Sequence, residues 1–284
     1  YNFSLPPLIV LALARGDSTT LTKWAGSVEY VGPRATYLNI TATHDGIGMR
    51  PTEGLLGEAE RKQLVDLAYA HNGQVSGKRN SDGSVSPYEL NLNYFDAVND
   101  PNADEPADVQ VRRFMVSQAI ALAFLGIPGI YIHSLLGSRN DTAAVKETGI
   151  ARRINRARLR RGALEAELSD PKGVRSRVFS EYARLLSIRR REKAFHPGSA
   201  QEVLAVGPSV FALRHTFLES GESIMAIHNV TPRPVSVDLG PVTRKRPRVD
   251  LLAGGNGGGK MNNVSRSGVL ELGSYAVSWL KMGS

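Results

Sequence analysis

The feature that most constrains the fold is an alternation of strand-like and helix-like segments that gives way, near residue 200, to strands alone. Thr36–Ala42 is rich in β-branched residues and predicts a strand that leads into a glycine-containing loop. Gly57–Asn72 and Asp108–Leu125 carry apolar residues at helical spacing, and Ile127–His133 predicts a buried strand. This order of strand, loop, two helices and strand is a β/α repeat, which predicts a parallel sheet.

Between the two helices lies a segment whose composition is typical of a loop. Asn72–Pro87 is rich in Gly, Ser and Asn, which favour turns, and we expect one long loop there. Loops of such length inside compact domains are usually functional. Tyr88–Ala97 predicts a short ordered segment after it.

The last third of the chain predicts a second module. Val174–Lys193 has the pattern of a long amphipathic helix. Short strands separated by turn signals follow and predict an all-β domain, at Glu202–Val206, Val210–Thr216, Ser223–Asn229, Val235–Leu239 and Tyr275–Lys281. The pattern of Gly254–Lys260 predicts a flexible linker or hairpin loop and not a phosphate-binding loop, because neither Ser nor Thr follows Lys260 and no helix is predicted after it. We therefore expect an α/β domain over residues 1–199 and an all-β domain over residues 200–284.

Composition excludes several classes of protein. The chain has no Cys, which rules out disulfides and thiolate zinc sites and suits a reducing compartment. No apolar run approaches the ~20 residues of a membrane span. Leu5–Ala14 lacks a basic segment before it and makes a poor signal peptide, so we expect a cytoplasmic protein with no membrane partner. Because Tyr1 stands in place of Met, we expect the chain to be part of a longer protein.

The formal net charge of +8 raises the question of a nucleic-acid partner. Much of the excess comes from arginines that lie close together in the sequence, namely Arg152, Arg153, Arg156, Arg158, Arg160 and Arg161. No aromatic residues alternate with them, and no nucleic-acid-binding motif accompanies them. We interpret the cluster as a solvated face balanced by nearby glutamates and expect no nucleic-acid partner, although a non-catalytic basic protein stays the alternative from another class.

Reactive groups of a parallel β/α barrel lie in loops just beyond the carboxyl ends of its strands. Two segments meet that condition, Thr43–Asp45 and His133–Asp141. Asp45 beside His44 offers the hydrogen-bonding groups that a hydroxyl-rich ligand such as a sugar needs. One His and one Asp are too few ligands for a metal, so no metal or other cofactor is expected. The pattern alone is more typical of an ordinary capped turn.

Four segments, in the same order along the chain, resemble motifs of the α-amylase superfamily, glycoside hydrolase family 13. The segment Thr41–Gly48 is similar to the motif on the seventh barrel strand, in the form found in the sucrose phosphorylase branch. The other segments are Tyr1–Leu8 before helix six, Gly126–Tyr131 on strand eight, and Ala151–Arg156 beyond it. The resemblance implies the C-terminal part of a (β/α)8 TIM barrel, strands six to eight, followed by a C-terminal β-sandwich domain.

The resemblance also implies roles for individual residues. Asp45 matches the catalytic carboxylate that holds the sugar hydroxyls and stabilises the oxocarbenium-like transition state. His44 and Arg152 match residues that bind the glucosyl unit. Tyr88 and Glu89 match a Tyr-Gln pair on the acceptor-site loop of sucrose phosphorylases. The family's nucleophilic Asp and its acid/base Glu belong to strands four and five, which this sequence does not contain.

Two departures from the sucrose-specific pattern are similar to the glucosylglycerate phosphorylase branch. Glu89 stands where a Gln is expected, and the run His133–Asn140 differs from that of the sucrose enzymes. A carboxylate at Glu89 suits small polyols and requires a cation nearby if the acceptor is glycerate. The resemblance implies an enzyme of glycosyltransferase type that exchanges glucose between an α-glucoside and inorganic phosphate. Within the same fold, a retaining glucosidase or transglucosidase stays open.

Overall fold

The structure is a computed structural model, and it describes residues 1–243, 246–253, 264–265 and 267–283. The predicted glycine-rich turn Gly254–Lys260 lies outside the described residues. The structure divides into two compact units that alternate along the sequence. The first unit comprises Tyr1–Leu11, Ile40–Phe114 and Gly129–Tyr182, and the second comprises Ala12–Asn39, Met115–Pro128 and Ala183–Ser284. The division predicted at residue 199 stays a prediction.

The helices lie in the first two thirds of the chain. In order they are α1 (Leu5–Arg15), α2 (Thr19–Ala25), α3 (Glu58–Ala70), α4 (Tyr94–Val98), α5 (Ala107–Ala123), α6 (Ile132–Leu135), α7 (Thr142–Thr148), α8 (Arg161–Ser169) and α9 (Val174–Arg191). Pro6 and Pro7 fall in the first turn of α1, where the missing backbone N–H breaks no helical hydrogen bond. Leu8 and Ile9 follow them and are almost completely buried, so the apolar segment at the start of the chain is a core helix.

The strands form four sheets among the described residues. In order they are β1 (Leu38–Ile40), β2 (Ile47–Gly48), β3 (Gln74–Arg79), β4 (Val85–Asn91), β5 (Ile127–Gly129), β6 (Ala200–Leu204), β7 (Val210–Thr216), β8 (Ser223–Asn229), β9 (Val235–Asp238), β10 (Pro247–Asp250), β11 (Val269–Leu272) and β12 (Val277–Met282). The sheet orders are β1-β5, β2-β4-β3, β10-β12-β8-β7-β6 and β11-β9. The strands predicted on either side of the two helices are therefore neighbours in one sheet.

Most predicted elements are present, and one prediction is wrong. The helices predicted at Gly57–Asn72 and Asp108–Leu125 correspond to α3 and α5. The long loop predicted at Asn72–Pro87 is instead the antiparallel hairpin of β3 and β4, in which Lys78 pairs with Ser86. Turn-forming residues dominate this segment, but backbone hydrogen bonds between the strands do not depend on side-chain type. Only Asn80–Ser84 forms the turn, closed by a backbone hydrogen bond of 2.9 Å from Asn80 N to Ser84 O.

The predicted strand at Ile127–His133 is shorter than expected, because β5 ends at Gly129 and α6 begins at Ile132. All five strands predicted in the last part of the chain are present, and β7 and β8 have the predicted bounds and are antiparallel from Val210↔Asn229 to Thr216↔Ser223. The strands β10 and β11 were not predicted.

The core of the all-β part contains residues from both of its sheets. Met225 and Leu280 come from the five-stranded sheet, and Val237 and Leu270 come from β9 and β11; all four are at most 2% exposed. The strands β9 and β11 alternate buried apolar and more exposed residues, whereas β8 is buried along almost its whole length. A core shared by two sheets is expected of sheets that pack face to face, and it fits the predicted sandwich.

None of the helices in the described part of the chain combines the length and the apolar character that a bilayer-spanning helix requires.

Candidate functional site

A tight turn after β1 positions Asp45. Backbone hydrogen bonds join Thr43 and Gly46 in both directions, at 3.4 and 3.3 Å, and Asp45 N donates to Thr43 Oγ1 at 3.1 Å. Gly46 has φ of +116°, and a Cβ atom there would lie 2.3 Å from the carbonyl oxygen of Leu90. Glycine is therefore required by both conformation and space, and the turn holds the backbone of Asp45 in one arrangement.

Two guanidinium groups and an imidazole surround the Asp45 carboxylate. Arg156 Nη2 donates to Asp45 Oδ1 at 2.6 Å, and Arg156 Nε donates to the carbonyl oxygen of His44 at 2.8 Å. Arg152 Nη1 and His44 Nε2 lie 3.4 and 3.5 Å from the same carboxylate oxygen. The Asp45 side chain is 31% exposed, so this carboxylate is held by cations and is still accessible to a ligand.

Arg152 joins this carboxylate to a second one. Its Nε donates to Glu89 Oε2 at 3.0 Å and its Nη2 donates to Oε1 at 2.9 Å, the two-pronged geometry that a guanidinium and a carboxylate favour. The Glu89 side chain is only 11% exposed. Hydrogen bonding to Glu89 raises the pKa of Arg152 further above its usual value. Asp45, Arg152 and Glu89 thus form a continuous chain of charges.

The hairpin of β3 and β4 supports both carboxylates. Glu89 lies on β4, which pairs with β2 so that Ile47 faces Leu90. Asn91, two residues further along β4, donates from Nδ2 to the carbonyl oxygen of Asp45 at 2.8 Å. Ser76 on β3 donates to Asn91 Oδ1 at 2.6 Å and fixes the orientation of that amide. The hairpin that the sequence analysis missed is therefore part of the site.

A further pair of polar residues supports the turn from another direction. Asn155 Nδ2 donates to the carbonyl oxygen of Thr43 at 3.1 Å, and the hydroxyl of Tyr131 donates to the carbonyl oxygen of Asn155 at 2.6 Å. Burial raises the pKa of the Tyr131 phenol, and Asp45 adds to that effect while Arg156 opposes it. The phenol therefore keeps its proton and stays a hydrogen-bond donor.

A cavity of about 250 Å³ lies against these groups. Its lining includes the polar residues Thr43, Asp45, Tyr88 and Glu89 and the apolar residues Phe3, Pro6 and Ile40. The volume falls just below the range of about 300–1,000 Å³ that is usual for drug-sized ligands. A cavity with both polar and apolar lining residues suits a small hydroxyl-rich ring.

The structure brings the predicted site residues together. Tyr88, Glu89 and Asp45 line the cavity, Arg152 binds both carboxylates, and His44 contacts Asp45 with its side chain 67% exposed. Their catalytic and binding roles stay predictions.

The sequence analysis missed Arg156, Asn91 and Asn155. Arg156 lies in the basic cluster that we interpreted as a solvated face. For Arg152 and Arg156 that interpretation is wrong, because their guanidinium groups bind carboxylates of the site. Arg161 does pair with Glu165, at 2.8 Å on the surface. A spacing of four residues between Arg152 and Arg156 is the signal that could have suggested a common target.

The second candidate segment, His133–Asp141, has a structural role in the described part of the chain. Asp96 is 1% exposed, and it accepts hydrogen bonds from Arg139 Nη1 at 2.9 Å and from Asn140 N at 2.7 Å. Burial raises the pKa of the Asp96 carboxyl. His133 bonds to Ser138 Oγ at 2.9 Å, and burial lowers the pKa of its imidazole.

The same segment also borders a cavity. Residues 137–141 line this cavity of about 470 Å³, and its described lining residues are all different from those of the Asp45 cavity.

No group of three or more His, Asp or Glu side chains that could hold a metal ion occurs among the residues that the structure describes. The prediction that no metal or other cofactor takes part stays a prediction.

Comparison with known proteins identifies the class to which this fold and site belong. The crystal structure of sucrose 6F-phosphate phosphorylase from Thermoanaerobacter thermosaccharolyticum matches with a TM-score of 0.66 and 21% identity, over 81% of this chain and 43% of that chain. This match shows the fold, the C-terminal part of a (β/α)8 barrel with a following β domain, as the sequence predicted. No family model matches the chain.

Sequence relatives define the branch. Glucosylglycerate phosphorylase of Allomeiothermus silvanus is 41% identical over 234 residues, which are 82% of this chain and 41% of the relative. Glucosylglycerate phosphorylase of Spirochaeta thermophila is 39% identical over 231 residues, 81% of this chain and 39% of the relative. The chain belongs to the sucrose phosphorylase-like branch of the α-amylase superfamily, which confirms the predicted family. Within that branch it is similar to the glucosylglycerate phosphorylases, and it spans about two fifths of their length.

Proposed function

We propose that the complete protein is a retaining α-glucoside phosphorylase. It exchanges a glucosyl unit between an α-glucoside, glucosylglycerate or a similar compound, and inorganic phosphate, and it yields α-glucose 1-phosphate. The observation that carries this proposal is the arrangement of Asp45, Arg152 and Glu89 in one network beside a small cavity. Relatives named glucosylglycerate phosphorylase, 39–41% identical, support the choice of reaction.

In this proposal Asp45 acts on the glucosyl side of the reaction. A glycosidase-type transfer passes through a transition state with positive charge at the anomeric carbon. Asp45 holds the sugar hydroxyls and supplies negative charge near that carbon, while His44 and Arg152 bind the glucosyl unit. The nucleophilic carboxylate and the acid/base belong to barrel strands outside these 284 residues. We therefore expect the chain to catalyse no transfer by itself.

Glu89 and Tyr88 act on the acceptor side. A buried carboxylate would repel an acidic acceptor such as glycerate if its charge were not offset. Arg152 supplies that offset through its two-pronged contact with Glu89. The polar groups that Glu89 and Tyr88 present to the cavity suit the hydroxyl groups of a three-carbon acceptor.

The partners in this proposal are a small carbohydrate and inorganic phosphate. We propose neither a nucleic acid nor a membrane as a partner, and a cytoplasmic location stays a prediction. The number of subunits is outside the proposal.

Incubation of the complete protein with glucose 1-phosphate and glycerate tests the function. We expect release of inorganic phosphate together with a glucosylated glycerate, and we expect glucosylglycerate plus phosphate to run the reaction in reverse. Water is the control acceptor: steady release of free glucose at the rate of transfer would instead make the protein a hydrolase. The 284-residue chain, assayed under the same conditions, is expected to give no turnover.

A further inference from the structure

A second cavity adjoins the candidate site and has a different chemical character. It has a volume of about 570 Å³ and is lined by Arg50, Lys78, Tyr88 and Arg152 among others. Arg50 and Tyr88 also line the Asp45 cavity, so the two spaces are adjacent. No carboxylate is among the described lining residues of this second cavity.

The three cations around this cavity differ in how their charge is offset. Arg152 is bound by Glu89 and lies near Asp45. Arg50 and Lys78 are exposed, and within the described part of the chain neither side chain forms an ion pair or a hydrogen bond. A cavity beside a sugar-sized site is therefore flanked by two cations whose charges are available to a ligand.

An irregularity in the hairpin shapes this wall of the cavity. The register of β3 against β4 shifts between Ser76, which faces Glu89, and Gly77, which faces Pro87. A Cβ atom at Gly77 would lie 2.5 Å from Val85 Cγ1, so a side chain there would have to displace the Val85 side chain on the partner strand. Such bulges often lie next to active sites and change the direction in which a strand presents its side chains. Lys78 immediately follows this bulge.

We propose that Arg50 and Lys78 form a binding site for an anionic group. This group belongs to the reactant that accepts the glucosyl unit. This inference rests on the proposed function and extends it by naming two residues that select a charged reactant. The group bound is a carboxylate of an acidic acceptor or inorganic phosphate, which share the negative charge and the oxygen acceptors that Arg and Lys recognise. Tyr88 lines both this cavity and the Asp45 cavity.

The test uses the complete protein with Lys78→Met and Arg50→Met, each of which removes one charge and keeps an unbranched side chain. Transfer from glucose 1-phosphate is measured to glycerate and to glycerol, which has the same three-carbon skeleton and no charge. Phosphorolysis of glucosylglycerate is measured at varied phosphate concentration. We expect KM for the anion to rise about 10- to 100-fold, since hydrogen bonds to charged groups contribute that much, and KM for glycerol to stay unchanged.

Arg79→Met is the matched control, because Arg79 is the next residue on β3, is exposed, and does not line the cavity. Lys78→Arg should restore most of the affinity for the anion. A rise confined to glycerate assigns the site to the acceptor, and a rise confined to phosphate assigns it to phosphate. Equal effects on glycerate and glycerol, or no effect on either anion, would overturn the proposal.

A separate measurement keeps the inference distinct from the proposed function. If the wild-type protein transfers no glucose at all, the proposed function fails, and calorimetric binding of glycerate and of inorganic phosphate still tests the site. Weaker binding by the Lys78→Met protein than by the wild-type protein then supports an anion site, and equal binding refutes it.

Discussion

Replacement of Asp45 by Asn separates the catalytic interpretation of this residue from the structural one. Asn keeps the size of the side chain and removes its charge. In the folded protein the change weakens the 2.6 Å contact with Arg156 and the 3.4 Å contact with Arg152. Because these side chains are between 31% and 40% exposed, solvent screens both contacts, and we expect a loss of about 1 kcal/mol in the free energy of unfolding.

The effect on catalysis should be larger than the effect on stability. A negative charge placed where positive charge develops stabilises the transition state more than the bound substrate, so its loss lowers kcat. Removal of one preorganised electrostatic partner typically costs on the order of 100-fold or more, which corresponds to about 2.7 kcal/mol. We therefore expect kcat of the complete protein carrying Asp45→Asn to fall at least ~100-fold, while Tm falls by no more than about 2–4 °C.

Steady-state kinetics with glucose 1-phosphate and a thermal melt on the same preparation make the comparison. Asp66→Asn is the control, since Asp66 forms an exposed ion pair with Lys62 at 2.6 Å on α3 and should affect neither quantity appreciably. Asn also favours capped turns, so a purely structural Asp45 would tolerate the change. A wild-type kcat in the Asp45→Asn protein would refute the assignment of this residue.

Two further predictions concern the acceptor side and the β domain. In the complete protein, Glu89→Gln removes the carboxylate placed on the acceptor side and weakens the anchoring of Arg152. We expect KM for glycerate or glycerol to rise about tenfold, and to rise more than KM for glucose 1-phosphate. Burial lowers the pKa of both His215 and His228 to about 4, so on acidification below 6.5 they bind protons in the unfolded chain before the folded one. We expect each to cost about 2 kcal/mol of stability at pH 5 relative to neutral pH, seen as a lower Tm.

A specific result would contradict each of these two predictions. Equal losses for acceptor and glucose 1-phosphate would mean that Glu89 only supports the fold. For the histidines, His228→Gln is the comparison, and its Tm should fall less steeply between pH 7 and pH 5 than that of the wild-type protein. Parallel pH dependences of the two proteins would contradict the linkage argument.

Burial of apolar residues explains which elements the sequence could predict. The helix α9 buries apolar residues at helical spacing, while α5, β7 and β8 are buried along most of their length, and their positions followed from that apolar pattern. The hairpin of β3 and β4 lacks it, because most residues of β3 are exposed on both faces. What forms this hairpin is backbone pairing between β3 and β4 across the Asn80–Ser84 turn, a property that composition does not express.

The same reasoning applies to the site. Asp45 could be singled out because it follows a strand and because its neighbours resemble a known motif. The contribution of Arg156 was not predictable from local sequence, since an arginine that binds a carboxylate 111 positions away has the same neighbours as an arginine in solvent. Asn91 is similar, because its amide binds the backbone of Asp45 across two paired strands.

The position of β4 between β2 and β3 bears on how such a site can diversify. The inner strand contacts the turn that carries Asp45, whereas Lys78 lies on the outer strand, whose other edge pairs with no described strand. No described residue of β3 binds Asp45 directly; Ser76 reaches it through Asn91, which binds the Asp45 backbone. Changes at exposed positions of β3, such as Lys78, can therefore alter the preferred small reactant while the groups proposed to hold the glucosyl unit keep their geometry.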